Sequence, residues 1–310
     1  MRWLGALVAL GGCVLGELDE PPVASTAAAV TTCTTGTWCT EPAPAAVAAA
    51  GTLLHGVWAA SDTDVFAVGD GGVILRRVSG AWTQLASGTT ANLRAVWGTS
   101  GADVWAGGVS GALVHWNGST WSRVTGITTN IDAIWGSGPT DVWFAGSGVI
   151  TRWNGATYTA TGFGGSLLSI SGTGPLDVWT TGESTNLHHY TGTWSTVAPP
   201  GAGTTTFFSV LALSTSEVWV SDLSLGKETM HWVGGKWVSV TTGGAIWNGM
   251  SALSPTDLWG AGGSRIGRGT GTAWTTSQPF GSAASLWAIA TRSGHAWVVG
   301  SGALIGHFAL

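Results

Sequence analysis

Apolar and polar residues alternate along this chain in runs of four to eight, and the runs break wherever Gly, Ser or Asn cluster. The stretch "LRAVWGTSGADVWAGGVSGALVHWNGSTWSRVTGITTN" shows the pattern most clearly. It divides into "LRAVWG", "DVWAGG", "ALVHWN" and "TWSRVTG", separated by "TSGA", "VSG" and "GS". Period-two alternation rich in Val, Trp, Leu and Thr between such turns predicts β-strands. No 3.6-residue stripe is long enough to predict a helix within the repeat.

The unit then recurs. "DVFAV" at 64 is followed by "DVWAG" at 103, "DVWFA" at 141, "DVWTT" at 177, "EVWVS" at 217, "DLWGA" at 257 and "HAWVV" at 295, at intervals of 36 to 40 residues. Four strands in such a period, seven times over, predict an all-β, seven-bladed β-propeller of four-stranded blades. A middle strand of a blade is covered on both faces, so the Val and the Trp of the phrase are both expected in the core. A short acidic side chain after a turn can accept backbone N–H bonds, which is the role expected for the recurring Asp.

The last copy ends in "ALIGHFAL", which matches a third strand with no fourth after it. The segment "TGTWCTEPAP" (35–44) matches "TGTWSTVAPP" (191–200), the fourth strand of the fourth copy. The N-terminal segment is therefore predicted to close the ring as the outer strand of the last blade.

Composition changes the picture at the surface. The chain has 50 glycines and 21 tryptophans, and only 9% of its residues are charged. A net charge of −5, with Lys227 and Lys236 as the sole lysines, argues against nucleic acid, which needs clustered cations. The N-terminal "MRWLGALVALGGC" has the layout of a secretory signal. Within it, Leu10-Gly11-Gly12-Cys13 resembles a bacterial lipobox, with Cys13 the lipidated residue; the alternative is an ordinary signal peptide that contains a cysteine. The domain reading is a lipoprotein-type signal peptide over 1–12, a tether over 13–30 and the propeller over 31–310. An exported, lipid-anchored envelope protein follows, with no membrane-spanning helix expected after the signal. Export makes a disulfide the default for Cys33 and Cys39. No metal site is expected there, because two thiols without a neighbouring His or third Cys offer too few ligands.

"VWGTSGADVWAGG…VHWNGSTW" resembles the repeats of exported myxobacterial propeller proteins, most of which have no assigned activity. "DVFAVGDGGVILRR…GAW" resembles the repeats of tectonin-like, fucose-binding propeller lectins; that resemblance rests on blade-building residues and implies sugar sites between blades, with no residue-by-residue assignment. A WD40 pattern is absent, and so is the sialidase Asp-box.

No nucleophile elbow, phosphate loop or zinc-protease helix motif occurs, so no catalytic residue and no cofactor are expected. One place in the third strand carries His or Arg in every copy: Arg76, His115, Arg152, His189, His231, Arg268 and His307. These residues form either a repeated contact for an oligosaccharide or anion, or a structural hydrogen bond and stack on a neighbouring Trp. His188 beside His189 is a poor chelate, because adjacent strand residues face opposite ways. Charge in the second-to-third strand loops concentrates at Glu183, Asp222, Lys227 and Glu228, which become the candidate ligand-binding rim. The functional expectation is a non-catalytic binding or adhesion propeller for an unknown protein or glycan. The alternatives are a multivalent lectin with inter-blade pockets and an envelope glycosidase or lyase.

Overall fold

A computed structural model describes residues 33–183, 187–198, 206–222 and 228–310. Cys13, the signal and the tether lie outside the described residues. The rest folds as seven four-stranded antiparallel sheets. Blade one consists of Leu54–Ala59, Asp64–Gly69, Ile74–Val78 and Ala81–Leu85 in that spatial order from the axis outwards. Blades two to six repeat this arrangement.

Blade seven takes its outer strand from the other end of the chain. Trp38–Thr40 pairs antiparallel with Ile305–Ala309, with Trp38 opposite Phe308 and Cys39 opposite His307. Backbone bonds from Gly36 N to Ala309 O (2.7 Å) and from Glu41 N to Ile305 O (2.9 Å) extend the ladder at both ends. Each innermost strand packs on that of the next blade, and Leu54–Ala59 on Leu286–Arg292, so the ring is closed. No helix among the described residues is long and apolar enough to cross a membrane.

The hydrophobic core is divided among the seven interfaces between blades. The aromatic residue of each second strand faces the following blade and meets the residue after its Asp. Thus Trp105 packs with Val142, Trp143 with Val178, Trp179 with Val218 and Trp297 with Val65. All of these are at most 5% exposed. Because strand residues i and i+2 share a face, the Asp of the phrase lies on the Trp side of the blade.

That placement shows what the third-strand His and Arg residues do within the blade. Trp105, Trp143, Trp179, Trp219, Trp259 and Trp297 pair in register with His115, Arg152, His189, His231, Arg268 and His307, and Phe66 with Arg76. The imidazole or guanidinium lies over the ring: His189 stacks on Trp179 at 3.9 Å, and Arg152 sits 4.4 Å above Trp143. Its far side meets the recurring carboxylate. Arg76 Nε donates to Asp64 (2.8 Å), Arg152 Nε to Asp141 (2.6 Å) and Arg268 Nε to Asp257 (2.8 Å). His115 and His189 Nε2 each lie 2.6 Å from Asp103 and Asp177. His231 Nε2 stands 3.5 Å from Glu217. The recurring Asp therefore binds side chains of its own blade, not the backbone N–H groups of the turn.

Blade seven departs from the motif, since His295 stands where the others have a carboxylate. His307 still stacks on Trp297 (centroids 5.0 Å apart), and its Nε2 lies 2.9 Å from His295 Nδ1. The carboxylate comes from Glu41 at the end of the N-terminal strand, whose Oε1 is 2.9 Å from His307 Nδ1. Glu41 also accepts from Arg77 (Nη2 2.8 Å, Nε 2.9 Å) and from Trp82 Nε1 (2.6 Å) in blade one. Glu41 thus joins blades seven and one while completely buried.

Removing Glu41 leaves the buried Arg77 guanidinium without its carboxylate and with only a long bond to Asp62 O (3.4 Å), and breaking a buried pair in this way typically costs about 3–5 kcal/mol. Glu41→Ala should lower the thermal midpoint well below that of the parent; an unchanged midpoint contradicts the closure described here. Burial would raise the Glu41 carboxyl, but hydrogen bonds from His307, Arg77 and Trp82 and the Arg77 charge outweigh it and hold it below its ordinary 4.5. A depressed carboxyl contributes stability that is complete above its unfolded value and fades as pH falls through the folded one. Below about pH 4.5 the parent should lose more of its thermal midpoint than Glu41→Gln does.

Within the blades, Asp177 is buried and accepts from His189, Trp179 Nε1 (3.1 Å) and Thr173. Asp177→Ala should cost about 2–3 kcal/mol, because three donors lose one charged acceptor. Asp257→Ala, whose partner Arg268 is 43% exposed, should cost under about 1 kcal/mol. Melting curves of the two variants check the ranking.

Candidate functional site: the axial mouth

At the start of each innermost strand a fully buried apolar residue is followed by one that faces the axis and then by a small one. The triplets are Leu54-His55-Gly56, Leu93-Arg94-Ala95, Ile131-Asp132-Ala133, Leu167-Leu168-Ser169, Phe207-Phe208-Ser209, Trp247-Asn248-Gly249 and Leu286-Trp287-Ala288. The first residue packs between blades. The third is small because the neighbouring strand is close: a Cβ on Gly56 would stand 3.0 Å from Arg94 O. The middle residue is free of both constraints, and it differs in every blade.

These seven middle residues line a cavity of about 490 Å³ at the axis. Around the ring they read His55, Arg94, Asp132, Leu168, Phe208, Asn248 and Trp287. Blades one to three make a polar arc. His55 Nε2 lies 2.8 Å from Asp70 Oδ1, and Arg94 pairs with Asp132 across the blade boundary. Blades four and five contribute the apolar Leu168 and Phe208. In blade six, Asn248 Nδ2 donates to Leu286 O (2.9 Å), which fixes the amide. Trp287 of blade seven is 40% exposed and meets His55 edge-on at 6.0 Å. It is the one exposed tryptophan among the described residues.

The rim is held firmly. Asn92 Oδ1 accepts from Gly71 N (2.9 Å) and Asn130 Oδ1 from Ser110 N (2.8 Å), so residues leading into one blade fasten the second-to-third strand loop of the blade before. Gly71 has φ 67° in such a loop, the left-handed region that glycine adopts without strain.

The candidate rim residues named from sequence are placed differently. Glu183 is exposed on the same face as the mouth. Its N–H donates to Ser166 O (2.9 Å) just as that of Asp70 donates to Leu53 O (3.0 Å), so it holds in blade four the place of Asp70 in blade one. Asp222 is not a loop residue: it ends the strand Glu217–Asp222, opposite Phe207, with no exposed surface. Six blades carry glycine there (Gly69, Gly108, Gly146, Gly182, Gly262 and Gly300), where a Cβ would lie 1.9–2.4 Å from a carbonyl or other backbone oxygen. The fifth blade alone puts a side chain at that crowded position, and it points inward. Lys227 lies outside the described residues. Glu228 opens the third strand of blade five, opposite Thr241.

Cys33 and Cys39 form the expected disulfide, with Cα atoms 5.7 Å apart. The expectation that no His stands near them is corrected, because strand pairing brings His307 Nδ1 to 3.5 Å from Cys33 Sγ. His188 and His189 face opposite ways, His188 against Phe163 and His189 against Trp179. Burial lowers the His188 pKa. Between blades one and two an open concavity of about 510 Å³ is bounded by Gly71, Gly72, residues 84–90 and Arg123.

The mouth residues escape a search for recurring motifs because they are the one position that does not recur. Aligning the seven copies and asking where chemistry varies would have exposed them.

The sequence matches no family model and no curated protein. Solved structures match in fold. YCF48 from Cyanidioschyzon merolae is 16% identical, with a TM-score of 0.69 over 88% of this chain and 98% of that one. YCF48 bound to D1 peptide is 12% identical, with a TM-score of 0.69 over 91% and 100%. A catalytically inactive virginiamycin B lyase from Staphylococcus aureus with quinupristin is 14% identical, with a TM-score of 0.76 over 88% and 99%. At these identities the likeness establishes the seven-bladed architecture and nothing finer.

Proposed function

We propose that this chain is a non-catalytic binding propeller whose axial mouth receives a segment of a protein partner. The observation that carries this reading is the ring of seven unlike side chains on a scaffold that otherwise repeats. Trp287, Leu168 and Phe208 give apolar surface on which a segment can lose water, and the polar arc of His55, Arg94 and Asp132 gives it a direction. The titratable groups of the mouth are already engaged, His55 by Asp70 and Arg94 by Asp132, which suits recognition better than group transfer. A propeller of the same architecture, YCF48, is described bound to a D1 peptide; another, virginiamycin B lyase, is an enzyme. Glu183 extends the rim on the side of Leu168. The exported, lipid-anchored setting belongs to this reading, and the Cys33–Cys39 disulfide is in keeping with it.

Binding should be sought on a peptide array and a glycan array with the same protein. Trp287→Ala and Phe208→Ala should each weaken the peptide signal at least about tenfold, the size of a single interface hot spot, and leave the fold intact. Glycan binding that survives both substitutions would transfer the function to the inter-blade concavities and sink the peptide reading. For the anchor, Cys13→Ala should release the protein from membranes into the soluble fraction; unchanged partitioning counts against lipidation at Cys13.

A further inference from the structure

Donor atoms from residues more than 250 positions apart converge where the ring closes. Cys33 Sγ, Cys39 Sγ and His307 Nδ1 all lie within 4.8 Å of one another. The imidazole nitrogen is 3.5 Å from Cys33 Sγ and 2.9 Å from Glu41 Oε1. Two thiolates and an imidazole nitrogen form a donor set that suits Zn²⁺. Zinc bonds of about 2.3 Å to sulfur and 2.0–2.1 Å to nitrogen, at a tetrahedral angle, hold S and N about 3.5 Å apart. That is the separation found between Cys33 and His307.

In the oxidised chain the two sulfurs are bonded to each other and cannot serve as thiolate ligands. We propose that the reduced closure is a zinc site, in which Cys33, Cys39 and His307 hold one Zn²⁺ and a water molecule takes the fourth position. A dithiol reductant delivers two electrons and two protons to the Cys33–Cys39 bond and leaves as its own disulfide, so that two thiols replace one S–S bond. Zn²⁺ then displaces the two thiol protons to solvent as the Zn–S bonds form.

The surroundings are arranged for this exchange. A metal-binding imidazole usually directs its second nitrogen at a fixed partner. His307 Nε2 has one in His295 Nδ1, 2.9 Å away. In the tautomer that leaves Nδ1 unprotonated, His307 Nε2–H donates to His295 Nδ1. The Nδ1 lone pair is then available to the metal. The negative charges of two thiolates and Glu41 are balanced by Zn²⁺ together with Arg77, which already pairs with Glu41. The two states also differ mechanically. The disulfide ties Cys33 only to Cys39, within the N-terminal segment, whereas zinc would tie that segment to His307 of the last blade, across the seam.

The test uses the full chain in a Cys13→Ser background, so that only this thiol pair is counted. The protein is reduced with a phosphine, freed of metal and titrated with zinc against a chromophoric chelator. One zinc per chain is expected for the reduced protein, and none for the oxidised protein or for Cys33→Ser/Cys39→Ser. Cobalt in place of zinc should give tetrahedral d–d bands and a thiolate-to-metal charge-transfer band that vanish in the double variant. Should that variant fail to fold, reduced parent alkylated at both cysteines takes its place. Reduced parent that takes up no more zinc than the oxidised or alkylated protein overturns the proposal, as does cobalt bound without the thiolate band. Peptide binding at the axial mouth is measured separately, so neither result bears on the other.

Discussion

A carboxylate braced against an imidazole or guanidinium, which in turn lies flat on an aromatic ring, holds each blade to its own shape. The ring is the same one that fills the interface to the next blade, so one side chain links order within a blade to packing between blades. Asp177, His189 and Trp179 show the complete set, with the indole N–H also given to the carboxylate. Where blade seven lacks its own carboxylate, Glu41 supplies one from the far end of the chain and brings Arg77 and Trp82 of blade one with it. The closure thus uses the same chemistry as the blades, with its parts drawn from separate places in the sequence. A buried ion pair often stabilises no better than apolar packing would, but removing one of its members is costly. Glu41 is well placed to specify which strand completes the ring.

Most of the architecture was legible because it is written seven times. Turn residues at fixed offsets, period-two alternation and the "DVW" phrase identify strands and blades, and "TGTWCTEPAP" betrays the closure by its likeness to "TGTWSTVAPP". The pairing of Cys33 with Cys39 follows from their proximity in sequence. What stayed hidden depends on contacts between distant residues. The neighbours of His307 at the seam are Cys33 and Glu41, and no local pattern connects them. The partner of each recurring Asp is hidden because the sequence shows a turn beside it, whereas the third-strand His or Arg that it binds stands about a dozen residues further on, across a hairpin. Asp222 looked like loop charge for a related reason: only the register shows that it occupies a glycine's place at the end of a strand.

The mouth inverts the usual relation between recurrence and function. A propeller copies its core residues from blade to blade because every interface poses the same packing problem. The axis-facing residue of each innermost strand meets no such problem, so seven independent choices are collected on one small surface. Specificity can change there by single substitutions that leave the interfaces, and hence the stability, untouched. The apolar Leu168 and Phe208 follow the polar His55, Arg94 and Asp132 around a single opening, an asymmetry that no repeated position could produce.

The pairing of Trp38–Thr40 with Ile305–Ala309 also imposes an order in time. Each of blades one to six is a local meander, so it can form as its own strands leave the ribosome. The N-terminal strand has no such option, because its partner is made some 265 residues later. At synthesis rates of 5–20 residues per second it waits for roughly 15–50 s with an unpaired edge. A strand of three residues flanked by polar threonines offers little to a passing chain during that interval. The brevity of this strand, which would look like a weakness in the finished ring, is what keeps the unfinished one from pairing with a neighbour.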